Sequence, residues 1–113
     1  MSAPSDIFDK SAALDRVAGD QALLMELLKI AQGDIASTLP ALGEAVGQGR
    51  IAEVQRVAHR LRSALGNLGA LKVYEVLTEL ERAAARGQLE DCKRLIPSME
   101  TLIQEFFSVS KGD

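Results

Sequence analysis

The feature that most restricts this chain is an apolar periodicity that steps by three and four residues. It is clearest where Leu24, Leu28, Ala31, Ile35, Leu39, Leu42 and Val46 follow one another. A helix turns about 100° per residue, so this spacing keeps the whole set on one side of a helix. A strand repeats every second residue and would scatter it over both faces. The pattern predicts an amphipathic helix over 21–46, with Asp20 placed to cap its N-terminus. Pro40 removes one backbone hydrogen bond inside this helix, and a kink rather than a stop is expected there.

The same period continues along the chain. A short helix is expected over 10–17, interrupted by Gly19. A turn at Gly47, Gly49 and Arg50 leads to a helix over 51–67, whose stripe is Val54, Ala58, Leu61 and Leu65, with Leu68 just beyond. Gly66 and Gly69 mark its end. A helix over 70–85 is expected to turn Val73, Tyr74, Leu77, Leu80 and Ala84 inward, and Gly87 closes it. The last helix, over 89–109, carries Cys92, Ile96, Met99, Ile103 and Phe106, with Pro97 bending it near Lys93. Residues 1–8 read as a lead-in and residues 110–113 as a flexible tail. Composition agrees: Leu and Ala dominate the apolar residues, and three Phe, one Tyr and no Trp leave little to build strands from. The expected fold class is all-α, a single domain over residues 1–113. Its architecture is an antiparallel four-helix bundle with a short extra N-terminal helix as a lid.

Charge and hydropathy exclude several function classes. The net charge is −3 and no run of Lys and Arg is present, which argues against nucleic acid. No apolar stretch approaches the roughly 20 residues that span a bilayer, so no membrane partner is expected. The opening MSAPSD lacks the basic-then-apolar order of a secretory signal. The single cysteine, Cys92, cannot form an internal disulfide. A cytoplasmic location is the simplest expectation.

His59 is the only histidine. Helical geometry places it away from the stripe of its helix, on a face shared with Gln55, Arg62, Ser63 and Gly66. A neutral imidazole is a nucleophile that can attack phosphorus, and a rigid helix holds it for in-line transfer. Arg62 reaches the same space and can hold phosphoryl oxygens through charge-assisted hydrogen bonds. Ser63 can donate another. Gly66 and Gly69 read either as helix-ending glycines or as a low surface that lets a partner approach. A metal site is not expected, because a di-metal bundle needs inward Glu-x-x-His pairs and this histidine faces out. Cys92 lies on an apolar stripe and reads as a small buried hydrophobe.

Residues 58–70 run Ala-His-Arg-Leu-Arg-Ser-Ala-Leu-Gly-Asn-Leu-Gly-Ala. This string resembles the signature of histidine phosphotransfer (HPt) domains, Ala-His-x-Leu-Lys-Gly followed by a segment ending Asn-Leu-Gly-Ala. Arg62 stands where Lys is usual and Ser63 where Gly is usual. Arg keeps the charge and adds bidentate geometry, whereas Ser63 is small enough to leave the surface fairly open but disfavours a partner that needs backbone-tight contact, and so bears on partner choice. Weaker similarity extends outward through Phe8-Asp9, Arg16-Val17, Gly19-Asp20 and Leu80-Glu81, then Ala84, Arg86 and Gly87.

The resemblance implies a phosphorelay intermediate. His59 is then the phosphoryl acceptor and Arg62 steadies the group, while Gln55, Ser63, Gly66 and Gly69 border it. The implied partners are response-regulator receiver domains and a sensor or hybrid histidine kinase. The Mg²⁺ for transfer comes with the receiver, and no cofactor belongs to this chain. No nucleotide-binding loop is present, so ATP-dependent self-phosphorylation is not expected. Leu23, Leu27 and Ile30 form a second stripe on the 21–46 helix, which either packs under the short first helix or docks a partner. Met1 and the length suggest a free-standing, monomeric module. The alternative is a bundle that binds receiver or kinase domains without transferring anything.

Overall fold

A computed structural model describes residues 4–112 as six helices: α1 (Pro4–Ile7), α2 (Lys10–Asp15), α3 (Gln21–Gly47), α4 (Ile51–Asn67), α5 (Leu71–Ala85) and α6 (Leu89–Gly112). Residues 1–3 of the expected lead-in and Asp113 of the expected tail lie outside the described residues.

The turns between α3 and α6 occupy only residues 48–50, 68–70 and 86–88. Connections this short force consecutive helices to run antiparallel. α4 packs most extensively on α5, α5 on α6 and α3 on α4, and α3 meets α6 to close the ring. The result is the expected antiparallel four-helix bundle. Asp20 caps α3 as anticipated, its Oδ1 accepting from the Leu23 N–H at 3.0 Å. α3 continues through Pro40, and α6 through Pro97, without a break in either helix.

The stripes read from the sequence form the core. Leu24, Leu28, Ile35, Leu42 and Val46 of α3 are buried, and Ala31 and Leu39 pack at its margin. Val54, Ala58, Leu61 and Leu65 of α4 are buried too, joined by Val57. Phe106 sits at the centre, with Phe8 edge-on at 5.5 Å and Phe107 at 5.0 Å between ring centroids. Such contacts fix ring orientation as well as burying area.

Three expectations are corrected and a fourth is narrowed. First, residues 4–7 are not a bare lead-in but form α1, and Ile7 and Phe8 are buried. Two adjacent apolar residues show no helical period, so only their burial against the bundle reveals their role. Second, α6 does not end near Val109. It runs on to Gly112, and Ser110 is buried with its Oγ donating to the Phe107 carbonyl at 3.1 Å. Third, Tyr74 is not an inward residue: it is 43% exposed, and Val76 fills the inward position instead. Fourth, of the two readings left open for the second stripe of α3, packing under the first short helix is not found, because Leu23, Leu27 and Ile30 stay exposed.

The N-terminal segment instead closes one end of the bundle. α1 packs against α5 and α6. Phe8 forms an isolated antiparallel bridge with Ala70, and the Asp9 N–H donates to the Gly69 carbonyl at 2.8 Å. The Asp9 side chain then caps α2 by accepting from the Ala12 N–H at 3.0 Å.

Candidate functional site

The site is built on the α4–α5 hairpin. Its turn is closed by the Ala70 N–H donating to the Leu65 carbonyl at 3.0 Å, with Gly69 at φ +81°. Only glycine adopts that backbone without strain. Folding the chain back at this turn sets α4 and α5 side by side. His59 and Glu81 lie eleven residues on either side of Ala70, and so come level across the pair.

His59 Nδ1 lies 3.0 Å from Glu81 Oε1. Arg62 Nε lies 3.1 Å from Glu81 Oε2, an ion pair that lacks hydrogen-bond alignment. Arg62 Nη2 lies 3.1 Å from His59 Nδ1. Three charged or titratable side chains from two helices thus form one closed triangle. The His59 side chain is 59% exposed, while Arg62 is 25% and Glu81 only 19% exposed. The nucleophile candidate is open to solvent and its two supports are held closer to the protein.

Nδ1 cannot both donate to Glu81 and accept from Arg62. A carboxylate oxygen 3.0 Å from a bare ring nitrogen would set two lone pairs against each other. A protonated Nδ1 turns that contact into a charge-assisted hydrogen bond, and Arg62 keeps its ion pair to the same carboxylate. The Arg62 Nη2 contact at 3.1 Å favours a bare Nδ1, but the shorter contact to the charged carboxylate outweighs it and favours the proton on Nδ1. That leaves the lone pair on Nε2, which has no hydrogen-bond partner among the described residues. A second-position partner that fixes a histidine tautomer is a familiar physical device.

Glu81 was not singled out as a site residue by sequence reasoning. The available signal was its equal distance from the turn, which only means something once the hairpin is assumed. Arg62 has one further neighbour: its guanidinium carbon lies 5.6 Å from the centre of the Tyr74 ring.

The other expected site residues are distributed differently. Gln55 is exposed one turn before His59, with no hydrogen bond to it among the described residues. Ser63 is exposed one turn after it and lines a shallow hollow of about 430 Å³ with Arg16, Gly66, Asn67 and Tyr74. Gly66 does not present a low open surface. A Cβ added there would meet Tyr74 Cδ2 at 2.8 Å, so the missing side chain makes room for the ring. Gly69 does not border His59. It is buried in the turn, about 15 Å along the α4 axis, and a Cβ there would run into the Asp9 carbonyl oxygen.

Leu27 and Ile30 line a groove of about 430 Å³ between α3 and α4, together with Arg60, Ala64 and Leu68. Leu23 continues the exposed stripe along α3. Arg60 bridges the two helices at one side, its Nη2 donating to Thr38 Oγ1 at 3.2 Å. Cys92 is buried, and burial first, then the neighbouring Asp91 charge, pushes its thiol above the ordinary range. Among the described residues no group of three or more His, Cys, Asp and Glu side chains is placed to hold a metal ion, and no helix is long and apolar enough to cross a membrane.

Comparison with known proteins returns no match among curated proteins and none among solved structures. A family model described as Hpt domain matches residues 26–108, which takes in α4, α5 and most of α3 and α6. With a match over well more than half its length, the chain belongs to the Hpt domain family, whose business is histidine phosphotransfer in phosphorelays.

Proposed function

We propose that His59 is the phosphoryl acceptor, that Nε2 is the reacting atom, and that the group is exchanged with an aspartate of a response-regulator receiver domain. The observation that carries this reading is the Glu81 contact at Nδ1, which with the proton on Nδ1 leaves the Nε2 lone pair free on an open face. In the forward step the Nε2 lone pair forms the N–P bond as the P–O bond of an aspartyl phosphate breaks, releasing the aspartate carboxylate. The imidazole becomes positively charged, and its Nδ1–H points at the Glu81 carboxylate. In the return step a receiver carboxylate attacks the phosphorus, the N–P bond breaks, and the ring is neutral again. Stabilisation of charge that appears only during reaction is what accelerates it.

Arg62 is paired with Glu81 through Nε and lies against His59 through Nη2, which leaves Nη1 available for phosphoryl oxygens. The Mg²⁺ for transfer is brought by the receiver. A sensor or hybrid histidine kinase is the alternative source of the group. The receiver docks on the exposed Leu23, Leu27 and Ile30 stripe and the α3–α4 groove beside it, an apolar surface that no element covers among the described residues. Gln55 and Ser63, one turn to either side of His59, flank the approach.

The test uses a receiver domain phosphorylated on its aspartate. His59→Gln is expected to abolish phosphoryl uptake while leaving receiver binding intact. Uptake that survives this substitution sinks the assignment and leaves a non-catalytic interaction module as the reading.

A further inference from the structure

We propose that Tyr74 is a positioning residue for Arg62, and that position 66 is glycine to admit its ring. This rests on the reading of His59 as phosphoryl acceptor and extends it to a residue that contacts no reacting atom.

Three observations converge. The Arg62 guanidinium lies over the Tyr74 ring at 5.6 Å. Tyr74 is the only tyrosine in the chain, and it is 43% exposed, beside the inward-turned Val73, Val76 and Leu77 of the same helix. Its ring lies where a Cβ of residue 66 would be, 2.8 Å from Cδ2 and 3.2 Å from Cε2. Any side chain at 66 would push the ring off α4 and away from Arg62. The hydroxyl makes no hydrogen bond among the described residues, so the ring face is the part that acts.

The other two partners of Arg62 both change during transfer. His59 gains positive charge at the ring as the N–P bond forms, which repels the guanidinium. Glu81 is drawn to the newly charged imidazole. The attraction of a cation to the Tyr74 face is set by the ring quadrupole and does not depend on the state of His59. Tyr74 thus holds Arg62 within reach of Nε2 before and after phosphorylation. A long side chain restrained this way loses less freedom when it closes on the phosphoryl oxygens.

Phosphoramidate, a small phosphoryl donor, separates positioning from docking because it needs no protein surface. The rate of His59 phosphorylation is followed by ³¹P NMR on the full chain, with thermal melts confirming that each variant is folded. Tyr74→Leu is expected to slow the reaction about two- to five-fold, the range an exposed cation–π contact supplies. Tyr74→Phe is expected to restore the rate. Gly66→Ala is expected to lower it as Tyr74→Leu does, and the double variant to be no slower than either single one. In an Arg62→Ala background, Tyr74→Leu is expected to change nothing.

A Tyr74→Leu chain that reacts at the wild-type rate, or that loses as much without Arg62 as with it, overturns the proposal alone. A wild-type chain that is not phosphorylated on His59 overturns both the proposal and the reading beneath it.

Discussion

Replacing Glu81 tests the chemistry of the site most directly. Glu81→Gln keeps an oxygen that accepts from His59 Nδ1–H but removes the charge that faces the imidazolium. Glu81→Ala removes both. The charge sits 3.0 Å from Nδ1, and the centre of the ring charge is about 4 Å away. With His59 more than half exposed, the effective dielectric lies nearer that of water than that of a protein interior. The Coulomb benefit to the charged ring is then about 1–2 kcal/mol. Glu81→Gln should therefore slow phosphoryl uptake from a phosphorylated receiver by about 5- to 30-fold. Glu81→Ala should slow it further, because the tautomer is no longer imposed. Nitrogen NMR of His59 supplies the second readout: Nε2 should be the unprotonated nitrogen of the neutral ring in wild type, and a mixture of tautomers should appear in Glu81→Ala. Stability should change little, since a partly exposed ion pair contributes up to about 1 kcal/mol. A wild-type ring protonated at Nε2, or a Glu81→Gln chain with unchanged uptake, would refute the reasoning.

Three further outcomes follow from the geometry. Gly69→Ala forces a side chain onto a φ of +81° and against the Asp9 carbonyl, so thermal melting should show a loss of about 2–4 kcal/mol, or roughly 10–20 °C in Tm, with transfer unchanged well below the melting point. Ile30→Ala trims a side chain that is 64% exposed, so Tm should stay within about 2 °C while receiver affinity in calorimetry falls about 5- to 30-fold; equal affinity would remove this stripe from the docking surface. Cys92 should resist iodoacetamide in the folded chain. Because its thiol is pushed up, the unfolded state loses its proton first as pH rises. Stability is therefore full below the ordinary thiol range and should decline above it, and Cys92→Ser should remove that decline.

The bundle was legible because its information is local. Leu24 to Val46 and Val54 to Leu65 state their buried faces by spacing alone, and each stripe is indeed core. His59 and Arg62 share one helix, so the same arithmetic brought them together. What escaped depends on contacts between elements. Glu81 belongs to another helix, and its place in the weak Leu80-Glu81 similarity says nothing of a contact with His59. Ile7 and Phe8 have no period and are buried only because the end of the bundle lies open to them. Tyr74 sits between Val73 and Val76 on a helix rich in apolar residues, and periodicity alone could not decide which edge of the stripe it occupies. Gly66 and Gly69 look alike in sequence, yet one accommodates a ring and the other a backbone turn.

The triangle also bears on why a relay is built this way. A phosphoryl carrier must hold its group well enough to receive it and loosely enough to give it up. A lone arginine beside Nε2 would favour the phosphorylated state and oppose release. Here Arg62 arrives already paired with Glu81, so the unphosphorylated site has a balanced pair rather than a free cation. On the proposed reading, phosphorylation strengthens the existing Nδ1–H contact to the carboxylate as the ring gains charge, and turns the guanidinium toward the phosphoryl oxygens. The gain at the phosphoryl group is then offset in part by the weakened Arg62–Glu81 pair. The exposed face keeps these interactions in high dielectric, which limits them further. On the proposed reading, the modest strength of this site is what lets phosphoryl groups pass through it in either direction.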